Sequence, residues 1–144
     1  MPERNVAVVV FYDQQGNIAF QKRGAASKLG EKYGLWGGQI ELGETPDQAV
    51  RRELKEELGF IPEKLDFYCH DSYLVVEEGK YHGWLINQAV FISPITPELD
   101  RAKVYEGEGL VKMTIDEAIE SKGFSVGGTK FLKRIKKKLF AEVK

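Results

Sequence analysis

The order of apolar and polar positions along the chain predicts strands before and after one central helix in the sequence. Two loops are predicted where Gly, Pro and polar residues gather, over residues 24–35 and 93–101. Two pairs of strands are separated by short polar turns, and each pair is expected to form a hairpin. Runs rich in β-branched and aromatic residues predict strands over residues 5–12, 17–23, 39–41, 65–76, 81–92 and 110–113.

Three segments carry helix signals. Thr45, Pro46 and Gln48 form a capping box with proline at the first helical position, and Gly59 marks the end of that helix. A second capping box begins at Thr114 and predicts a short helix ending near Gly123, and apolar residues at helical spacing predict a last helix over residues 129–144. This pattern favours an α/β protein in which a mixed sheet lies between helices, an α/β/α sandwich.

Composition fits a single domain spanning residues 1–144, since 144 residues with 42% hydrophobic and 30% charged positions can bury an adequate core. The apolar run over residues 6–11 is too short to cross a membrane and lacks a signal-peptide cleavage pattern. We therefore expect a cytoplasmic protein with no membrane partner. Cys69 is the only cysteine, which excludes an internal disulfide and a cysteine-based zinc site.

Charge is segregated along the chain. Residues 129–144 carry +6, and because the whole chain totals −1, the remainder carries −7. A basic helix can attract RNA, but a solvated outer face is the commoner use, and the overall acidity argues against a nucleic-acid partner. The oligomeric state is not fixed by any sequence feature, although the hairpin edges and the last helix could form a homodimer.

The central helix concentrates carboxylates on one side. Glu53, Glu56 and Glu57 are predicted to share a face beside an apolar stripe, and like charges at this spacing cost about 0.2–0.5 kcal/mol per pair. A hard cation would offset that cost, and Mg²⁺ prefers carboxylate oxygens together with substrate phosphates. Glu44 and the carbonyls of the turn at Gly37 and Gly38 could complete such a site.

The spacing around these carboxylates matches a known motif. Gly38 is followed after five residues by Glu44 and after seven more by the segment RELKEELGF, residues 52–60. The chain therefore resembles the Nudix hydrolases. The resemblance implies the α/β/α Nudix fold and metal-assisted hydrolysis of a diphosphate bond, with Mg²⁺ as cofactor and Mn²⁺ as the alternative.

The resemblance also implies roles for individual residues. Gly38, Glu53, Glu56 and Glu57 are the expected metal ligands. The candidate catalytic residues are Glu53, Glu57, Arg52 and Glu108, where Arg52 holds Glu56 by an ion pair and Glu53 or Glu108 accepts the proton of the attacking water. Glu106 is the second choice for the glutamate that precedes the last strand.

Two residues are candidates for substrate binding. Arg23 ends the second strand, where a cation could meet a phosphate. Trp36 stands where the family usually has proline, and its ring could stack on a base or fill the core.

The substrate is expected to be a small nucleotide-type molecule, with a (deoxy)nucleoside triphosphate as the default. Nucleotide sugars, dinucleoside polyphosphates and RNA 5′ ends are the alternatives within hydrolysis. A non-catalytic nucleotide- or RNA-binding module and a diphosphate isomerase are the alternatives of a different class.

Overall fold

One mixed β-sheet organises the part of the chain that the computed structural model describes, residues 1–24 and 27–140. Within those residues it has the strands β1 (Glu3–Tyr12), β2 (Asn17–Lys22), β3 (Tyr33–Gly34), β4 (Trp36–Gln39), β5 (Asp66–Leu74), β6 (Leu85–Pro94) and β7 (Gly109–Thr114). The helices there are α1 (Pro46–Leu58), α2 (Pro97–Asp100), α3 (Ile115–Glu120) and α4 (Val126–Leu139).

The strand β1 lies at the centre of the sheet. It pairs in parallel with β6 along its whole length, from Glu3 opposite Leu85 to Tyr12 opposite Pro94. On its other side it pairs antiparallel with both β4 and β2. The strand β5 extends the sheet beyond β6, and β3 and β7 pair with β2, all antiparallel. The sheet is therefore mixed.

Successive residues of β1 point to opposite faces of the sheet and fill two separate cores. Val6, Val8 and Val10 pack with α3 and α4 through residues such as Phe131 and Ile135. The intervening residues pack with α1 on the other face. That second core includes Ala7, Val9, Phe11, Trp36, Val50, Leu54 and Leu58. Two helical layers around one mixed sheet confirm the predicted α/β/α sandwich.

Local signals in the sequence predicted both capping boxes. Thr45 accepts a hydrogen bond from the backbone N–H of Gln48 and the Gln48 side chain bonds back to Thr45, while Gly59 ends the helix in the left-handed conformation at φ 76°. Thr114 and Glu117 form the same reciprocal pair at the start of α3. Both hairpins are also present as antiparallel pairs.

Several elements differ from the sequence-based expectation, and the strand predicted over residues 81–92 is β6, Leu85–Pro94. The predicted loop at 93–101 contains α2, which Thr96 caps, and the predicted loop at 24–35 contains β3, which pairs with β2. The strand expected over residues 39–41 lies earlier, at β4, because its glycines pair with β1. The last helix begins at Val126 rather than Thr129, since Ser125 is its N-cap.

The basic helix α4 uses part of its charge in ion pairs. Arg134 contacts Asp71 of β5 at 2.7 Å, and Lys136 pairs with Asp116 of α3. The predicted continuation of this helix over residues 141–144, including Val143, lies outside the described residues. Assignment of residues 1–144 to a single domain stays a prediction. None of the helices within residues 1–24 and 27–140 combines the length and the apolar run that crossing a membrane requires.

Candidate active site

Glu57 is a buried carboxylate at the contact between α1 and β4. Its residue is 2% exposed, and its Oε1 accepts a hydrogen bond of 2.9 Å from the backbone N–H of Gly37. Burial raises the pKa of Glu57 to about 8, and the N–H of Gly37 opposes that rise. The nearby charges of Glu53 and Glu106 raise the pKa further. This position is therefore short of positive charge.

The two glycines of β4 make room for this arrangement. Gly37 has φ 123°, and a Cβ there would lie 2.1 Å from the carbonyl oxygen of Ala7. A Cβ on Gly38 would lie 2.6 Å from the carboxyl carbon of Glu53. Gly37 therefore lets β4 pair closely with β1, and Gly38 leaves space for the carboxylate of Glu53 beside the strand.

Three carboxylates converge at this point. One oxygen from each of Glu53, Glu57 and Glu106 lies within 4.8 Å of the other two. Glu53 and Glu57 are one helical turn apart and share a face of α1. Burial raises the pKa of Glu53, although the hydrogen bond from Arg52 lowers it. We call these three residues the acidic cluster.

The loop before β7 brings Glu106, not Glu108, into the acidic cluster. The buried side chain of Gln21 donates 2.9 Å to the carbonyl of Glu106 and fixes that residue in place. Glu108 is exposed, its N–H bonds to the carbonyl of Lys22 at 2.7 Å, and its carboxylate lies against Gly24. The second choice from the sequence is thus the residue that the fold places beside Glu53 and Glu57.

Glu56 lies apart from the acidic cluster. Its side chain is 56% exposed and meets Arg52 at 3.5 Å, the ion pair that the sequence predicted. The step of 100° per residue explains the placement, because it turns Glu56 away from the face that Glu53 and Glu57 share. Glu56 therefore lies at the edge of the predicted acidic face, next to Arg52, and outside the acidic cluster.

Arg52 connects the helix to the preceding loop. It forms a two-pronged bond with Glu44 at 2.7 and 3.0 Å, and it also donates 3.0 Å to Glu53 and to the carbonyl of Gln39. This guanidinium lowers the pKa of Glu44 to about 2, and Glu44 raises the pKa of Arg52 in return. Glu44 is thereby engaged by Arg52, and Arg52 orients Glu53.

A cavity of about 350 Å³ opens beside the acidic cluster and extends between the sheet and α4. Arg23 lines it, with its guanidinium donating to Gln21 and to Glu31 at 3.4 Å. The cavity thus joins carboxylates, cations and aromatic rings in one space. Its charged and aromatic lining residues include Arg4, Arg23, Lys28, Glu53, Glu57, Glu106, Tyr33, Tyr73, Tyr81 and Phe124.

Trp36 is placed in the core. It is fully buried among the residues that pack against α1, and its indole N–H donates 3.2 Å to the carbonyl of Ala19. A ring enclosed in this way offers no face to a base. The structure therefore favours the core role over the expected substrate contact, because β4 turns this side chain towards α1.

Several residues of the cavity carry no signal in the sequence. Tyr73 and Gln88 lie on strands that are distant in the chain from residues 37–60, and the sheet brings them to the cavity. Tyr73 is one of several aromatic residues in these two strands, and the sequence does not distinguish a ring that lines a cavity from one that fills the core. Gln88 stands within an apolar run, where nothing local distinguishes a lining residue from a core residue.

The sequence model of the NUDIX domain matches residues 1–123. The chain belongs to the Nudix family. It is similar to the 8-oxo-dGTP diphosphatase of Escherichia coli (strain K12), with 35% identity over 53% of this chain and 64% of that protein. It is also similar to the 8-oxo-dGTP diphosphatase of Proteus vulgaris, with 36% identity over 53% of this chain and 78% of that protein. The match thus spans less than two thirds of the Escherichia coli protein. A MutT protein from Methanosarcina mazei Go1 has the same fold, with a TM-score of 0.74 at 17% identity over 96% of each chain.

Proposed function

We propose that this protein is a divalent-cation-dependent hydrolase that cleaves a (deoxy)nucleoside triphosphate to a nucleoside monophosphate and pyrophosphate. The acidic cluster opening directly into a cavity with cations and aromatic rings carries the proposal, because a triphosphate and a base need both kinds of surface. The similarity to 8-oxo-dGTP diphosphatases supports the substrate class. A deoxyguanosine triphosphate oxidised at C8 is the first substrate to test.

The residues present fit a divalent cation. Three carboxylate oxygens within 4.8 Å of one another, one of them on a buried glutamate, form an oxygen-only site in which only Glu53 is paired with an arginine, Arg52. Glu53, Glu57 and Glu106 would hold Mg²⁺, or Mn²⁺ as the alternative, and Glu56 and the carbonyl of Gly38 would complete its environment. Such an ion, when bound, neutralises diphosphate charge and polarises the bridge.

The chain's own groups bind the substrate and move the proton. Arg23 faces the cavity and would bind a phosphate, and Arg52 keeps Glu53 in a fixed orientation. A water oxygen forms the new bond to phosphorus, the bridging P–O bond breaks, and pyrophosphate leaves with the electron pair. A carboxylate takes the water proton. Glu53 and Glu106 lie in the acidic cluster, and Glu108 is the third candidate base.

A Mg²⁺-dependent screen with product identification tests this proposal. The panel holds deoxynucleoside triphosphates, 8-oxo-dGTP, a nucleotide sugar, a dinucleoside polyphosphate and triphosphorylated RNA. We expect pyrophosphate and a nucleoside monophosphate from the triphosphates, with at least a 100-fold loss of kcat in Glu57→Gln. Turnover only of another panel member would move the substrate assignment to that class. No Mg²⁺-dependent product from any of them would refute hydrolysis.

Two matched substitutions separate the loop glutamates. Glu106→Gln should lower kcat by at least about 10-fold, since it removes a carboxylate from the acidic cluster, whereas Glu108→Gln should do so only if Glu108 is the base. The pH dependence of kcat distinguishes a lost base from a lost ligand. Equal activity of wild type and Glu106→Gln would remove Glu106 from the machinery.

A further inference from the structure

Three linked polar side chains lead from the exposed face of α4 to the sheet. Arg134 donates 2.7 and 3.0 Å to the two carboxylate oxygens of Asp71, and Asp71 accepts a bond of 3.3 Å from the side-chain nitrogen of Gln88. Asp71 of β5 and Gln88 of β6 are paired directly across the two strands. Their neighbours on this face are Val6, Ile86 and other apolar residues.

Of these three linked side chains, Gln88 is the one that reaches the cavity. It is 6% exposed and lines the cavity, while Asp71 keeps only 9% of its side chain accessible. Because ionised Asp71 offers only acceptors, the atom of Gln88 that faces it is the Nε2 donor. The Oε1 of Gln88 takes part in no hydrogen bond among residues 1–24 and 27–140. This oxygen is therefore the acceptor that Gln88 offers to a ligand in the cavity.

We propose that Gln88 is a base-specificity residue whose Oε1 accepts a hydrogen bond from an N–H group of the nucleobase, with Asp71 and Arg134 as positioning residues. The proposal rests on the proposed function, since it assumes a nucleotide in this cavity. In this arrangement Gln88 accepts through Oε1, and the ion pair of Asp71 with Arg134 fixes that direction.

The surroundings of Gln88 favour a base over a phosphate. A base has apolar faces and a polar edge, and this end of the cavity has apolar walls, among them the ring of Tyr73, which packs against Gly127 of α4. The guanidinium of Arg134 is engaged in two hydrogen bonds with Asp71, so this ion pair offers a phosphate no free cation. The acidic cluster and Arg23 instead supply the environment that phosphates require.

The ion pair prevents Gln88 from adapting to the opposite hydrogen-bonding pattern. A glutamine can normally rotate its amide by half a turn and exchange donor for acceptor. Here the exchange would place Oε1 against the carboxylate of Asp71, which Arg134 holds in place with two bonds. Gln88 is thus fixed as an acceptor towards the cavity, which favours a base that places an N–H at this position over one that places an acceptor there.

Binding measurements without turnover test the proposal directly. Wild type and Gln88→Leu are compared by calorimetric titration with dGMP, dAMP, dCMP, dTMP and 8-oxo-dGMP. The substitution replaces the amide with an apolar side chain of similar size. The nucleotide that wild type binds most tightly should lose about 10-fold in affinity in Gln88→Leu. Pyrophosphate and ribose 5-phosphate, which have no base, should bind the two proteins equally.

A second variant tests the positioning mechanism. In Asp71→Asn, the new amide cannot accept from both N–H groups of Arg134, and either its oxygen or its NH₂ can face Gln88, so Gln88 is no longer held with its oxygen towards the cavity. The affinities for the five nucleotides should then become more alike rather than weaken uniformly. Gln15→Leu, at an exposed turn position, is the control, and thermal melts of all variants establish that they are folded.

The outcomes are decisive in both directions. Unchanged nucleotide affinities in Gln88→Leu, an equal loss for pyrophosphate or ribose 5-phosphate, or no binding of any nucleotide to wild type would overturn the assignment. Base-dependent binding that Gln88→Leu removes would support it even if the screen found no hydrolysis. Hydrolysis with an unchanged base preference in Gln88→Leu would leave the proposed function standing and refute this inference.

Discussion

Substitution of Glu57 by glutamine should stabilise the metal-free protein at alkaline pH, although it removes an expected metal ligand. The folded chain raises the pKa of Glu57 from its ordinary value of 4.5 to about 8, mainly through burial. The folded state therefore holds this proton more tightly than the unfolded state does. The contribution of Glu57 to the stability of the metal-free protein is fully present below about pH 4.5 and is lost as the pH rises through about 8.

The magnitude follows from the same shift. A tenfold change in a proton affinity is worth about 1.4 kcal/mol, so full ionisation of Glu57 costs the folded state roughly 5 kcal/mol. Glutamine cannot ionise, and its oxygen can still accept the N–H of Gly37. The variant should thus match wild type near pH 5 and melt at least about 5 °C higher near pH 8.5.

Thermal melts in chelator, at both pH values and with and without millimolar Mg²⁺, measure the effect. Mg²⁺ requires the ionised carboxylates, so it should raise the Tm of wild type at alkaline pH and raise that of Glu57→Gln much less. Glu63→Gln is the control, because Glu63 is an exposed loop residue at which the same loss of charge should change little.

Two results would refute this reasoning. A Glu57→Gln protein that is less stable than wild type by the same amount at both pH values would show that Glu57 is not destabilised by ionisation. Equal stabilisation of wild type and variant by Mg²⁺ would show that Glu57 does not contribute to cation binding.

Three further substitutions test other parts of the site. Gly37→Ala should lower the Tm severely or prevent folding, because a Cβ would lie 2.1 Å from a β1 carbonyl at φ 123°, and circular dichroism melts measure this. Arg52→Lys should lower kcat about 10- to 100-fold, since lysine cannot keep the two-pronged bond to Glu44; an unchanged steady-state kcat would contradict that role. Gly127→Ala should raise KM for a nucleotide with little change in kcat, because its Cβ would lie 1.9 Å from the ring of Tyr73.

The half of the site around α1 was predictable because its determinants are local. Residues 37–60 contain the helix caps, the glycines and the spacing of the carboxylates in one continuous segment. What the motif could not separate was Glu56 from Glu57, which are adjacent in the chain. The packing of α1 against β4 gives them different environments, with Glu57 buried on Gly37 and Glu56 beside Arg52 at the surface.

The remaining differences come from contacts between distant segments. Glu106 and Glu108 are two residues apart in a loop with no periodicity, and the choice depends on the amide of Gln21, far earlier in the chain. Trp36 was assigned to two roles because the direction of its side chain depends on how β4 pairs with β1. The oligomeric state and the cytoplasmic location stay predictions.

The structure divides the site between two layers of the sandwich. Glu53 and Glu57 come from α1 on one face of the sheet, whereas Gln88 faces α4 on the other, and the cavity connects the two. The proposed chemical half is encoded in one segment, and the proposed base-recognition half depends on β5, β6 and α4. Substitutions in the second half can therefore change the substrate while residues 37–60 stay the same. This separation explains why the motif predicts the proposed class of reaction and leaves the base undetermined.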